Sequence, residues 1–347
     1  MTGTRRWLIA LVVAAALLTL SGDVIPRAIL SSMKKLDVNT TTSVSTNPTT
    51  AHLLDVQAWQ RRGPGDCQEL RCYRTTAQLT ETTEIGVLPT EDKKEALLQA
   101  RTSLGEARWE DSVRVTRHSS FPVLEDNGAL RMEGTVAGAL TGGETGEFTR
   151  EGLQYRFPST TEQKSYPYFD SWSLRSAPID YVDKTQHYFL FQQGVSPVPL
   201  GPDSPTLAHA EPVSGPAHAF YSPEELATLG LRATDTTTLT PFYAASRTLT
   251  VEPASGEIVN KREHRVVVLA ASEEEARQAA AEEPAGRVLY RADTTWDEAT
   301  VTARSDAANR VVDTQQRMAV VAWVSKALRF VVILAAIALV VRYRRAR

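Results

Sequence analysis

The residues best able to do chemistry in this chain are few and widely spaced. Its two cysteines, Cys67 and Cys72, lie in the run GDCQELRC. A structural zinc site wants four ligands, and none of the six histidines (His52, His118, His187, His209, His218 and His264) lies near that run in sequence. In a segment expected outside the cytoplasm, the pair reads as a local disulfide that pins a weak hairpin. No Gly-x-Ser-x-Gly elbow, His-Glu-x-x-His pair or phosphate loop occurs. The sequence therefore names no catalytic residue, metal or cofactor, and the chain reads as a non-enzyme.

A second set of reactive groups stands where charge is costly. Asp23, Lys326 and Arg329 fall inside two apolar segments, residues 7–30 and 319–341. Arg5 and Arg6 precede the first segment, while Arg342, Arg344, Arg345 and Arg347 follow the second. Arginines on the terminal side of both segments are the positive-inside pattern of a two-span protein with cytoplasmic termini. The expected layout is a cytoplasmic tail at 1–6, a span at 7–30, an extracytoplasmic domain at 31–318, a span at 319–341 and a tail at 342–347. The first segment has a strongly apolar core of only residues 7–20, close to a signal peptide, and Thr19-Leu20-Ser21 resembles a cleavage site. Continuation through SGDVIPRAIL favours a retained helix. At 1.5 Å per residue, Asp23 lies about 25 Å from Arg6 and Lys326 about 24 Å from Arg342. Shared depth predicts that Asp23 faces Lys326 or Arg329 across packed spans; the alternative is that each charge snorkels separately.

The third constellation is aromatic. Ten of the 25 aromatic residues fall between Tyr155 and Phe191. Nine of them are candidate lining for an apolar ligand path: Tyr155, Phe157, Tyr166, Tyr168, Phe169, Trp172, Tyr188, Phe189 and Phe191. The same rings, with Tyr181, also suit a filled β core whose tyrosine hydroxyls sit at the rim. Asp170 and Lys164 are the charged residues within this block that could serve a site.

These groups need elements to hold them. Threonine-rich residues 37–50 suit an extended strand. Short alternating runs at 72–79, 112–117, 129–136 and 146–150, separated by turn residues such as Asp126-Asn127-Gly128, predict antiparallel β structure. Helices are expected at 90–104, after Ser222-Pro-Glu-Glu and after Ser272-Glu-Glu-Glu, each opening with a capping residue. Residues 194–216, with six prolines, read as a covering loop, and VEPASGEIV at 251–259 as a hairpin turning at Ala254–Gly256. Residues 295–318 read as a stalk helix running into the second span. The fold class is α+β and membrane-anchored, with an antiparallel β-rich extracytoplasmic domain, peripheral helices and flanking transmembrane helices.

The run YRFPSTTEQKSYPYFD with APIDYV and HYFLFQQ, and the run RTLTVEPASGEIVNKRE, resemble signature blocks of the actinobacterial porin PorA family, formerly a domain of unknown function. KKLDV after the first span fits the same pattern. The resemblance spans the first helix, two internal blocks and the last helix. It implies a two-span actinobacterial membrane protein with a β-rich external domain, and gives no role to Lys326, Arg329 or the cysteine pair.

Charge narrows the partners. The formal charge is −3, and with the six terminal arginines set aside the remainder is −9. An acidic external portion without a basic stripe excludes nucleic acid as a partner. The reading is a non-enzymatic plasma-membrane protein whose external domain binds or passes an apolar ligand such as an envelope lipid, with membrane lipids as partners. The alternatives are a pore-forming, porin-like oligomer or a purely structural or interaction module.

Overall fold

The computed structural model describes residues 2–136 and 138–345. Arg347, expected in the cytoplasmic tail, and the side chain of Arg5 lie outside the described residues. The chain divides into two compact units. One combines the residues up to Lys35 with those from Asp306 onward; the other is Leu36–Ser305.

In the first unit an α-helix at Thr2–Thr19 passes through a π turn at Leu20–Val24 into a second α-helix at Ile25–Met33. Pro26 is tolerated because it stands in the first turn after the π segment. The helical run thus ends three residues beyond the expected Leu30. The other helix, Glu298–Arg345, is unbroken. Trp7, Val12, Leu17, Trp323, Phe330 and Val331 are among many large apolar side chains exposed on this unit. Both helices are long and apolar enough to cross a membrane.

The second unit is built of antiparallel sheets. The six-stranded sheet runs in the order Thr40–Ser45, Glu81–Pro89, Glu95–Leu104, Ala107–Thr116, Gly128–Glu133 and Glu144–Phe148. The larger sheet runs Tyr166–Asp170, Arg175–Lys184, Phe189–Pro199, Thr236–Glu252, Glu257–Ala270, Val288–Thr295, Thr49–Leu54 and Arg74–Leu79. Val213–Pro216 pairs with Thr236–Glu252 as a ninth strand. A small sheet joins Thr135–Val136, Leu140–Gly142 and Ala208–His209.

Strand faces follow the sequence period. Ala96, Leu98, Ala100, Thr102 and Leu104 are buried while Gln99 and Arg101 are exposed, a period of two that no helix can satisfy. The helix expected at 90–104 is therefore a strand with a turn before it. Thr90 Oγ1 donates to the Asp92 carbonyl at 2.8 Å, and the Asp92 carboxylate accepts from the Lys94 amide at 2.8 Å, so the residues that resemble a helix cap close a turn. Gly105, at φ +61°, turns this strand into its partner.

The expected loop at 194–216 is also corrected, since the strand Phe189–Pro199 continues past Gly194 and Ala208–His209 and Val213–Pro216 pair as strands. A register shift between Val195 and Val198 absorbs Pro197, and Val198 pairs with Tyr243. The capped helices form at Pro223–Leu229 and Glu273–Glu282. Ser222 and Glu225 complete a reciprocal capping box. Ser272 caps Glu275, whose carboxylate turns instead to the Ala271 amide and to Tyr221. The hairpin turn lies at Pro253–Gly256, between paired Glu252 and Glu257.

Candidate functional site

In the β unit the charges are set by one strand. Lys261, Glu263 and Arg265 alternate on Glu257–Ala270, and Glu263 and Arg265 are nearly fully buried. Glu81 reaches them from the six-stranded sheet; Arg247 comes from the adjacent strand of the larger sheet, and Asp170 from the strand that begins that sheet's order. Arg247 pairs with Glu263 at 2.8 Å and with Asp170, and donates to Gln193 at 2.9 Å. Arg265 binds both Glu81 and Glu263, while Lys261 lies 3.0 Å from Glu263 and 3.6 Å from Glu81. The Tyr243 hydroxyl donates to Asp170 at 2.9 Å.

Burial pushes the Glu263 carboxyl up, but Arg265, Lys261 and Arg247 outweigh it and hold the group well below the usual carboxylate range. Glu81 is lowered in the same way against its own burial, chiefly by Arg265 and Lys261. The network sets three basic side chains against three carboxyl groups, and the Glu81–Arg265 pair ties the two sheets together.

Beside this network lies a cavity of about 90 Å³, bordered by Tyr155, Tyr168, Phe169, Trp172 and the charges just named. Ligand pockets for small molecules run to roughly 300–1,000 Å³, and a water needs only about 10–15 Å³ of this measure. Trp172 Nε1 and Arg247 Nε border it without a protein partner, which suits hydration.

The aromatic block is distributed between two cores. Phe157, Tyr166, Tyr168, Phe189 and Phe191 are buried together with Leu153, Ile179 and Leu249, whereas Phe169 and Trp172 belong to the larger core. Phe157 and Phe191 are 4.8 Å apart, and Phe157 meets Tyr166 edge-on at 5.5 Å. Tyr181 and Tyr188 are half-buried. The block thus supplies one aromatic wall of the cavity through Tyr155, Tyr168, Phe169 and Trp172, and its other rings pack on one another. Asp170 joins the ionic network. Lys164 stays at the surface, 3.1 Å from Glu162.

Sequence reasoning missed Glu81, Arg247, Lys261, Glu263 and Arg265. A signal was present, because three alternating charges in a strand flanked by valines put all three on one face, and that face had to be either solvent or a buried network. Cys67 and Cys72 are bonded, with Cα atoms 6.4 Å apart, at the edge of a short 3₁₀ turn at Leu70–Tyr73.

In the helical unit Asp23 meets both of its expected partners, Arg329 more closely than Lys326. Asp23 accepts from Arg329 at 2.6 Å, and Lys326 Nζ lies 3.6 Å from the other Asp23 oxygen. Arg329 also donates to Thr19 Oγ1 at 3.2 Å, and the Ser21 and Ser325 hydroxyls are 3.2 Å apart. Gly22 makes the approach possible, since a Cβ there would stand 2.7 Å from Ser325 Cβ. The π turn carries Ser21, Gly22 and Asp23, and such turns concentrate at functional positions.

The fold is α+β, with antiparallel sheets and two terminal apolar helices long enough to span a membrane. The Porin PorA family profile matches residues 8–338, and the chain belongs to that family. It is 24% identical to Porin PorA of Corynebacterium resistens, with 97% of this chain and 96% of that protein covered. It is 28% identical to Porin PorA of Corynebacterium amycolatum, over 54% of this chain and 53% of that protein. Family and helices together point to a membrane or cell-envelope location.

Proposed function

We propose that the chain is a non-enzymatic, porin-like protein of the plasma membrane, in which several copies bring their paired spans together around a polar path. Its termini lie in the cytoplasm and its β-rich domain outside. The observation that carries this reading is the polar row between the helices: Thr19, Ser21 and Asp23 against Ser325, Lys326 and Arg329. The Lys326 side chain is 55% exposed on the pair. A cation facing hydrocarbon is costly, by up to about 2.5–3.5 kcal/mol at the helix centre on insertion scales and less toward the outer edge where Lys326 lies, and facing a water-filled path lowers that cost. Two helices cannot enclose a pore, so assembly is part of the reading.

The relatives named Porin PorA support it. The sheets of the β unit have free edges and carry Gln99, Arg101, Arg108 and Glu110 on an exposed face, unlike the apolar outer band of a transmembrane barrel. Conduction is accordingly assigned to the helices. An envelope lipid finds less support, because the cavity is small and bordered by ion pairs, where an acyl chain would leave polar groups unpaired. Arginines on the terminal side of each span support the orientation.

Liposomes containing the full-length protein and a trapped dye sensitive to small ions test the reading. Ion entry well above that of protein-free vesicles is expected. Vesicles as tight as the controls, with the protein shown by circular dichroism to be folded, would overturn it.

A further inference from the structure

We propose that the solvent-facing side of the larger sheet binds a neutral carbohydrate chain, in a groove that crosses its middle strands. The groove has a volume of about 620 Å³, within the roughly 300–1,000 Å³ of small-molecule sites. Strand register builds it. Asp180 pairs with Gln192, Gln192 with Thr248 and Thr248 with Arg262, so these four side chains form one row across four adjacent strands. With neighbouring strands about 4.8 Å apart, the row runs about 14 Å. Gly194 and Ser246, paired with each other, stand in the next row on the same face. These small residues leave the groove open, and a Cβ on Gly194 would have no atom within 4 Å.

The polar groups of the groove select the ligand. The Asp180 carboxylate only accepts hydrogen bonds and the Arg262 guanidinium only donates them, while Gln192, Ser246 and Thr248 do both. Among the described residues, Gln192, Ser246, Thr248 and Arg262 have no side-chain partner in the protein. Asp180 takes one bond, from the Ser165 hydroxyl, and keeps the rest of its acceptor capacity. Asp180 and Arg262 cancel in charge, and the other charged groups of the groove are paired within the protein, so a net charge on the ligand gains nothing. Sugar hydroxyls, which donate and accept from one group, match all five side chains. An extended peptide suits this face poorly, because these strands spend their backbone groups on one another and a peptide strand adds at a sheet edge. An apolar chain suits it no better, since Val182 is the one large exposed apolar side chain among the described residues that line the groove.

A microarray of neutral and acidic oligosaccharides, probed with the full-length protein in fluorescent nanodiscs, tests the site. Retention on a set of neutral oligosaccharides, well above that of protein-free nanodiscs, is expected. Arg262→Ala and Gln192→Ala should each weaken binding about three- to tenfold, the worth of one lost hydrogen bond. Ser246→Trp, which fills the groove, should abolish retention, and Arg108→Ala on the exposed face of the six-stranded sheet should leave it unchanged. No retention by protein shown folded by circular dichroism, retention on acidic glycans alone, or a signal that survives Ser246→Trp would overturn the proposal. Each of these results leaves the pore reading standing.

Discussion

Asp23 and Arg329, 306 residues apart in sequence, meet at 2.6 Å between the two apolar helices. Low dielectric strengthens such a pair and makes either partner alone costly. The pairing gives a partner to Asp23, the sole acidic residue of the first apolar segment.

A double-mutant cycle on Asp23→Asn and Arg329→Gln, scored by thermal stability in detergent, should give a coupling of about 0.5–3 kcal/mol. Lys326→Gln should couple to Asp23→Asn more weakly, because its 3.6 Å contact is half exposed. Strict additivity in the Asp23 and Arg329 cycle would contradict the pairing.

The ionic network between the sheets gives a pH dependence of definite sign. The Glu263 carboxyl is held well below its ordinary value of 4.5, so the folded state binds its proton less readily than the unfolded chain. Its stabilisation is fully present above pH 4.5 or so and is lost as pH falls through the native value. Glu263→Gln should flatten that acid limb and cost about 3–5 kcal/mol near neutrality, because Arg247, Arg265 and Lys261 lose a shared counter-charge. Denaturant melts at neutral and acid pH check both parts, and a variant as stable as the parent at neutral pH would contradict the account.

At the Pro253–Gly256 turn, Gly256 has φ +77° and a Cβ there would stand 2.2 Å from the Phe157 carbonyl oxygen. Ser255 Oγ accepts from the Glu257 amide at 3.1 Å and donates weakly to Glu252 O at 3.4 Å. Ser255→Ala should cost about 0.5–1.5 kcal/mol, the worth of one hydrogen bond. Gly256→Val should cost more than 3 kcal/mol or so, since strain at positive φ adds to a backbone clash. Equal melting temperatures for the two variants would remove the argument.

Orientation is tested by accessibility. A protease site inserted within Gly201–Thr206 should be cut from outside intact cells, while tags at either terminus should resist until the membrane is opened. Cleavage of a terminal tag in intact cells would reverse the topology.

What could be read from sequence, and what could not, follows from the range of the forces involved. The helix pair was legible because hydrophobic length acts along the chain; depth matched Asp23 to Lys326, while the closer contact is to Arg329, one turn away on the same helix, because side-chain reach and not depth decides between them. The hairpin at Gly256 was legible for the same reason: turn residues and flanking strands are local. Residues 90–104 misled because Thr90 and Asp92 serve a turn as well as they serve a helix cap, and the period of two that begins at Ala96 decides between them. The buried network was missed because Glu81 and Arg265 lie 184 residues apart and are joined only when one sheet faces the other. Burial of the aromatic rings was foreseeable from composition, but the division of Phe157 and Trp172 between separate cores depends on strand order, which no local pattern contains.

Assembly is the claim on which the pore reading stands, and native mass spectrometry of the full-length protein extracted in mild detergent measures it. The account expects one complex with a fixed number of copies above two, retained on dilution. A monomer at every concentration would contradict it, since one pair of helices cannot surround a path for ions.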